Sequence, residues 1–325
     1  MDNVDARPGP PSGAQWTIGA AGHQAVVVEV GGGLRTYRAD GFDYVDGYAE
    51  HELCVGSAGQ ILAPWPNRIR DGRYTFGGDT RQLHLSEPSR HTAIHGLTCW
   101  LPWQLVSKTA DEVVLGCRLV PQPGYPWSLV LRTRWRVGAA GLQVTHQVTN
   151  ASAEPAPFGI GAHPYLRLPA TSVDETVVHL PAESRLLVDN RLLPIGAATL
   201  AGGEYDFGTP RQIGAMLLDT AFGELKRDTG GGSAVTLSTP DGSTSVTVWA
   251  DPAFNWWQLF SGDTLAAPRH RRSVAVEPMT CPPDAFRSGR DLITLEPAQT
   301  WQASWGICPA IQDSGVGSHS GAGSH

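Results

Sequence analysis

Apolar and polar residues alternate with a period of two along much of this chain. Leu129, Leu131, Thr133, Trp135 and Val137 fall on one side, with Val130, Arg132, Arg134 and Arg136 on the other. This is the pattern of a strand with one buried face. After Gly138-Ala-Ala-Gly141 the alternation resumes, with Leu142, Val144, His146 and Val148 against Gln143, Thr145, Gln147 and Thr149. His146 sits in the apolar row, so a hydrogen-bonded place in the core or a cleft wall suits it better than catalysis. A β-branched run, Gln24–Val30, ends at Gly31-Gly-Gly33 and predicts a hairpin with Leu34–Ala39. Further strands are predicted at Ala234–Ser238 and Ser245–Trp249, joined through Pro240-Asp-Gly242, then at Trp256–Phe260, Ser273–Glu277 and Trp301–Ile307. Helical spacing is scarce; Pro210–Leu218 is predicted to hold one short helix. The expected class is all-β, a large sandwich of antiparallel strands.

Composition agrees with that reading. The 325 residues include 38 glycines and 25 prolines, turn formers that an all-β chain needs, and 41% are apolar, enough for a sizeable core. Residues 1–13 are rich in Pro and Gly, and 312–325 are of low complexity, so both are expected to be flexible tails around one domain at 14–311. A net charge of −7, with Arg269–Arg272 as the only basic cluster, argues against nucleic acid or an anionic membrane as partner. That cluster is expected to be a solvated turn. No apolar run is long enough to span a bilayer, and the start lacks the pattern of a secretory signal. The five scattered cysteines contain no Cys-x-x-Cys pair and suit reduced thiols. A cytoplasmic protein is expected, with the oligomeric state left open.

Five stretches place titratable residues beside glycine or proline. The central one is Phe158-Gly-Ile-Gly-Ala-His-Pro-Tyr-Leu-Arg-Leu168. Here His163 can exchange a proton near neutral pH, glycines on one side allow close approach to a ligand, and Pro164 stiffens the other. Pro64-Trp-Pro-Asn-Arg-Ile-Arg-Asp-Gly-Arg-Tyr74 presents Arg68 after a rigid Pro-x-Pro segment, a fork suited to paired oxygen acceptors. Ala93-Ile-His-Gly-Leu97 carries His95, Leu218-Asp-Thr-Ala-Phe222 embeds Asp219 among apolar residues, and Val274–Phe286 contains Glu277 before Pro278. Each alone has an ordinary structural explanation: an Arg68–Asp219 ion pair, a turn capped by His95, a strand ending at Glu277.

Together, and in this order, Asn-Arg-Ile with its downstream Gly-x-Tyr, His-Gly, His-Pro-Tyr, Asp-x-x-Phe and Glu followed by Pro-Asp-Ala resemble the aldose 1-epimerase (mutarotase) family over nearly the whole span between the tails. The resemblance implies a galactose mutarotase-like β-sandwich with an open carbohydrate cleft. It implies Glu277 as general base, His163 as general acid, and Arg68, His95 and Asp219 as holders of sugar hydroxyls. It also implies a monosaccharide substrate and no metal or cofactor, because exchanging anomers needs one proton taken from the C1 hydroxyl and one given to the ring oxygen. An acid and a base on opposite sides of C1 supply this, each contributing about 10²–10⁴-fold. The chain departs from the family at Leu166-Arg-Leu168, Thr220 and Glu277-Pro-Met279. These changes bear on the substrate and leave acid and base in place.

Other chemistries fit less well. A glycoside hydrolase would pair Glu277 with Asp219 or Asp284, but Asp284, between Pro283 and Ala285, reads as a turn residue. Glu296 also precedes a proline and competes with Glu277, yet the resemblance implies a turn before the last strand there, so Glu296 is expected at the surface. A sugar-binding module without turnover would use tryptophans such as Trp65, Trp100, Trp256 and Trp257 for stacking, although core packing is their ordinary role. A hexose-phosphate enzyme would need cations, and Arg70, Arg73 and Arg167 are the candidates. His91-Thr-Ala-Ile-His95 lacks a metalloprotease glutamate, and neither a nucleophile elbow nor a nucleotide-binding loop is present.

Overall fold

The computed structural model describes residues 9–311. The tail expected at 312–325, and residues 1–8 of the one expected at 1–13, lie outside the described residues. Residues 10–13 form a turn whose Ser12 is buried, with the Ser12 carbonyl accepting the Val30 N–H at 2.9 Å.

Two large antiparallel sheets make a sandwich. The first runs in the order Gln104–Lys108, Glu112–Leu119, Leu129–Gly138, Gly141–Asn150, Thr300–Ile311, Thr244–Ala250, Ser233–Ser238, Val177–His179 and Arg211–Gln212. The predicted alternation is realised: Leu129, Leu131, Trp135 and Val137 are buried, and Arg132, Arg134 and Arg136 are exposed. The second sheet runs Pro194–Thr199, Ala182–Val188, Asp219–Leu225, Trp256–Phe260, Val274–Met279, Gly161–Ala162 and Ile61–Leu62, with Tyr165–Leu166 also paired to Val274–Met279. The inner faces of both sheets share one apolar core, where Trp135 meets Trp305 edge to face at 6.1 Å. Each buried aliphatic side chain there contributes about 1.5–3 kcal/mol. His146 lies in this core. Its Nε2 accepts the Trp305 indole N–H at 2.9 Å, which leaves the proton on Nδ1 to donate to Thr133 Oγ1 at 2.9 Å. Burial pushes its pKa down to about 3, so it is a neutral packing residue.

Period two in the second sheet decides where chemistry can sit. Val274 and Val276 face the shared core, while Ala275, Glu277 and Met279 point to the other face of the same strand. That face is covered on one side by Leu186, Ala221, Trp256 and Met279 and on the other by Tyr48, Ala58, Tyr165 and Ala275. Glu277 lies between these two apolar patches and is only 2% exposed.

Two expectations are corrected. Pro210–Leu218 holds no helix: Arg211–Gln212 is a strand, and the N–H groups of Ile213 and Gly214 bond the carbonyls of Thr176 and Asp174. Gly214 has a φ of 59°, which interrupts any helical run at that point. Arg269–Arg272 is a turn, but solvent is not its main partner. Arg271 binds Asp174 and Asp263 at 2.7 and 2.5 Å, and Arg272 grips Asp46 through two N–H groups at 2.9 and 2.6 Å. The basic cluster ties together loops that converge at this end of the sheet.

Candidate active site

Glu277, His163, Arg68, His95 and Asp219, scattered in sequence, line one cleft of about 220 Å³. Asn67, Ile94, Tyr165, Phe260 and Leu265 are among its other walls. Two roomier hollows, of about 610 and 630 Å³, contain none of the five.

Three adjacent strands supply the floor. Glu277 faces Gln258 in register, and Gln258 faces Ala221, which places Asp219 two residues along on the same side. Gln258 Nε2 donates to Asp219 Oδ1 at 2.5 Å. His163 enters from the bend between Gly161–Ala162 and Tyr165–Leu166. Its backbone N–H bonds the Gln60 carbonyl, and the Pro164 carbonyl accepts the Val276 N–H at 3.1 Å. The glycines before it serve protein packing rather than ligand approach, which corrects the expectation from sequence. A Cβ on Gly159 would lie 2.4 Å from Cys281 Sγ, and one on Gly161 would lie 2.9 Å from Pro66 Cβ.

Arg68 and His95 come from a two-stranded ribbon in which Arg68–Arg70 pairs with Thr92–Ile94. Arg68 does not pair with Asp219. Its Nε and Nη2 donate to the two oxygens of Glu87 at 2.8 and 3.0 Å. The Asn67 N–H donates to His95 Nδ1 at 3.3 Å, so the His95 proton resides on Nε2. Asp284 stands behind this ribbon, accepting the Arg70 N–H at 2.9 Å, and is absent from the cleft wall.

His163 Nε2 lies 3.3 Å from Glu277 Oε1. The expected acid and base are therefore in contact, side by side on the cleft floor. Both are buried, and Glu277 Oε2, His163 Nδ1 and Gln258 Oε1 have no protein partner. Polar atoms of this kind are costly unless a ligand engages them. Burial, reinforced by Asp219 and opposed by Arg68, raises the Glu277 pKa well above the carboxylate range. Burial also pushes His163 down to about 3, with Arg68 acting in the same direction. His95 is held well below its ordinary value by burial, His163 and Arg68, which makes it a neutral Nε2–H donor. Asp219 is raised by burial, against the pull of Arg68 and Gln258. The arrangement offers a carboxyl and an imidazole able to exchange one proton, ringed by a guanidinium, an imidazole N–H and a second carboxyl.

The tryptophans do not join it. Trp65, Trp256 and Trp257 are core residues, and the exposed Trp100 lies outside the cleft. Tyr165, stacked on His163 at 4.9 Å, and Phe260 are the cleft's aromatic walls. Arg70 is taken up by Asp189 and Asp284, Arg167 lies over the Phe42 ring at 5.2 Å, and neither these two nor Arg73 reaches the cleft. Glu296 is exposed, its N–H bonded to Gln299 Oε1. Sequence reasoning missed Glu87 and Gln258. Gln258 had a visible signal, a polar residue between Trp257 and Leu259 in a buried strand, whereas Glu87 had none.

The chain belongs to the aldose 1-epimerase family, whose sequence model matches residues 14–308. It is similar to the uncharacterized protein YihR of Escherichia coli K12, with 36% identity over 286 residues covering 88% of this chain and 90% of that one. Among solved structures it resembles the GalM/aldose epimerase homologue from C. elegans, with a TM-score of 0.82 and 17% identity over 92% of this chain and 99% of the other. It also resembles galactose 1-epimerase from Lactobacillus acidophilus NCFM, with a TM-score of 0.75 and 20% identity over 90% of this chain and 92% of that one. At these identities the two structures establish a shared galactose mutarotase-like β-sandwich. No helix among the described residues is long and apolar enough to cross a membrane.

Proposed function

We propose that the protein interconverts the α and β anomers of a free, unphosphorylated aldose. The observation that carries this reading is the buried 3.3 Å contact between His163 and Glu277 on the floor of a polar cleft. The C1 hydroxyl and the ring oxygen are bonded to the same carbon, so adjacent acid and base reach both at once. The pair with the proton on Glu277 and the pair with it on His163 are tautomers with equal proton count. Burial favours the first, and the polar groups of a bound sugar favour the second. From the second, Glu277 accepts the C1 hydroxyl proton while His163 gives its proton to the ring oxygen. The C1–O bond to the ring oxygen breaks, leaving the open-chain aldehyde. Rotation about C1–C2 and reversal of both transfers close the ring on the other face. Arg68, the His95 Nε2–H and Asp219 hold the remaining hydroxyls.

An unphosphorylated substrate is favoured because Arg70, Arg73 and Arg167 all lie away from the cleft, and the charge of Arg68 is already paired with Glu87, which leaves its remaining N–H groups for neutral hydroxyls. The test is polarimetry of freshly dissolved α-D-glucose and α-D-galactose, with xylose and glucose 6-phosphate at the same salt concentration and a chelator present. Faster approach to equilibrium for a neutral aldose is expected. Preference for the phosphate would overturn the substrate, chelator sensitivity would overturn the metal-free mechanism, and sugar binding without turnover would overturn the activity.

A further inference from the structure

Arg68 meets the cleft with a guanidinium already half occupied. Two of its N–H groups, on Nε and Nη2, form a side-on fork with Glu87, leaving Nη1 and the second Nη2 hydrogen for other partners. Glu87 is itself held firmly. Its carboxylate also accepts the Thr92 hydroxyl at 2.7 Å and Arg90 Nη1 at 3.3 Å. Its backbone exchanges two hydrogen bonds with Thr92, across the turn at Pro88–Arg90. Glu87 does not line the cleft. Burial alone would raise its pKa, but the bonds from Arg68 and Thr92 and the charges of Arg68 and Arg90 outweigh that and keep it ionised.

The charges around the cleft explain what Glu87 is for. Facing Arg68 are Glu87, Asp219 and Glu277. Facing Glu277 are His163, Asp219, Arg68 and, on its stacked wall, Tyr165. Arg90 adds its field at Asp219, while Arg70 and His91, from the two strands of the ribbon and its turn, are turned to Asp284 and Asp71. Within this set, a guanidinium released from Glu87 has two carboxyls to swing towards.

We infer that Glu87 is a positioning residue: it fixes which edge of Arg68 faces the sugar and keeps that guanidinium from pairing with Glu277. The inference rests on the epimerase reading above. In Glu87→Gln the side chain keeps its shape, but its amide N–H₂ opposes one of the two Arg68 donors. Arg68 then turns towards Glu277 and favours its ionised form. The Glu277–His163 pair gives up its shared proton at lower pH, so the alkaline limb of the kcat/KM profile moves to lower pH.

The experiment compares wild type, Glu87→Gln, Glu87→Asp, Arg68→Gln and the Glu87→Gln/Arg68→Gln double variant, by polarimetric pH profiles and by calorimetric sugar affinity. A fall in kcat/KM is expected for Glu87→Gln together with the shifted limb. Glu87→Asp keeps the charge and should leave the limb in place. If Glu87→Gln does not fold, Glu87→Asp carries the test through a several-fold rise in KM with an unmoved limb. In the Arg68→Gln background, Glu87→Gln should add no further loss. An unmoved limb in Glu87→Gln, or full additivity in the double variant, overturns the inference. An inactive wild type overturns the epimerase reading instead, and sugar affinity unchanged by Glu87→Gln in that protein overturns the positioning role as well.

Discussion

Glu277→Gln separates the two consequences of burying a carboxyl under a cleft. The glutamine keeps the shape of the side chain and can still meet His163, but it cannot accept a proton from a sugar hydroxyl. Removing a general base costs about 10²–10⁴-fold in kcat, equivalent to roughly 3–5 kcal/mol of barrier. Sugar affinity should change little. The stability effect runs the other way. Glu277 is 2% exposed, receives no hydrogen bond from a cation, and has one oxygen with no protein partner. Arg68, the nearest compensating charge, is engaged by Glu87. The ionised carboxylate is therefore poorly compensated in the folded chain and well solvated in the unfolded one. Its folded pKa lies well above the ordinary 4.5, so between the two values the folded state binds more protons and stability falls as pH rises. Below about 4.5 both states are protonated and the penalty disappears. Glutamine carries no such penalty, so at pH 8 the variant should be more stable by about 1–2 kcal/mol, or about 2–4 °C in Tm. That difference should shrink as the pH is lowered towards 4. The assay is a melting series from pH 4 to 8 beside polarimetric kcat, with Glu296→Gln as an exposed control expected to change neither. Retained turnover in Glu277→Gln refutes its role as base. A stability gap that is absent at pH 8, or that does not depend on pH, refutes the electrostatic account.

The remaining predictions concern the same cleft. His163→Asn should lower kcat by about 10²–10⁴-fold, and the Glu277→Gln/His163→Asn double variant should lose less than the product of the two, since both act in one transition state; independent effects would place them in separate steps. The kcat/KM profile should have its acid limb well below 6.5, because burial holds His163 near 3, and its alkaline limb well above 4.5, because burial raises Glu277. Limbs at the ordinary values of free Glu and His would show that neither group is buried as described. Gly96→Ala should raise KM more than it lowers kcat and destabilise by about 1–3 kcal/mol. Gly96 has a φ of 76°, and a Cβ there would sit 2.1 Å from the Ala63 carbonyl oxygen, displacing the neighbouring His95; binding constants and melts check it.

Much of this protein is written locally in its chain. Strand alternation depends only on neighbouring residues, so Leu129–Gly138 and Gly141–Asn150 are legible without any knowledge of their partners. His146 is set apart from the chemistry by its row alone, and the fold makes it a core residue. The five cleft residues are legible in a different way, through short motifs whose order resembles a family, and the cleft gathers all five.

Tertiary structure decided the rest, because it depends on which distant segments meet. Pro210–Leu218 has enough apolar residues for a short helix, but its N–H groups find carbonyls at Thr176 and Asp174, and strand pairing prevails. Arg269–Arg272 looks like a solvated cluster until the fold brings Asp46, Asp174 and Asp263 to it. Arg68 pairs with Glu87 rather than Asp219, since the antiparallel bridge between Glu87 and Thr92 sets that carboxylate beside the ribbon. The contact of Glu277 with His163 has no signature in either motif. Burial raises the Glu277 carboxyl and lowers the His163 imidazole, and that burial exists only once the fold sets the patches containing Tyr165 and Trp256 over the outer face of Val274–Met279.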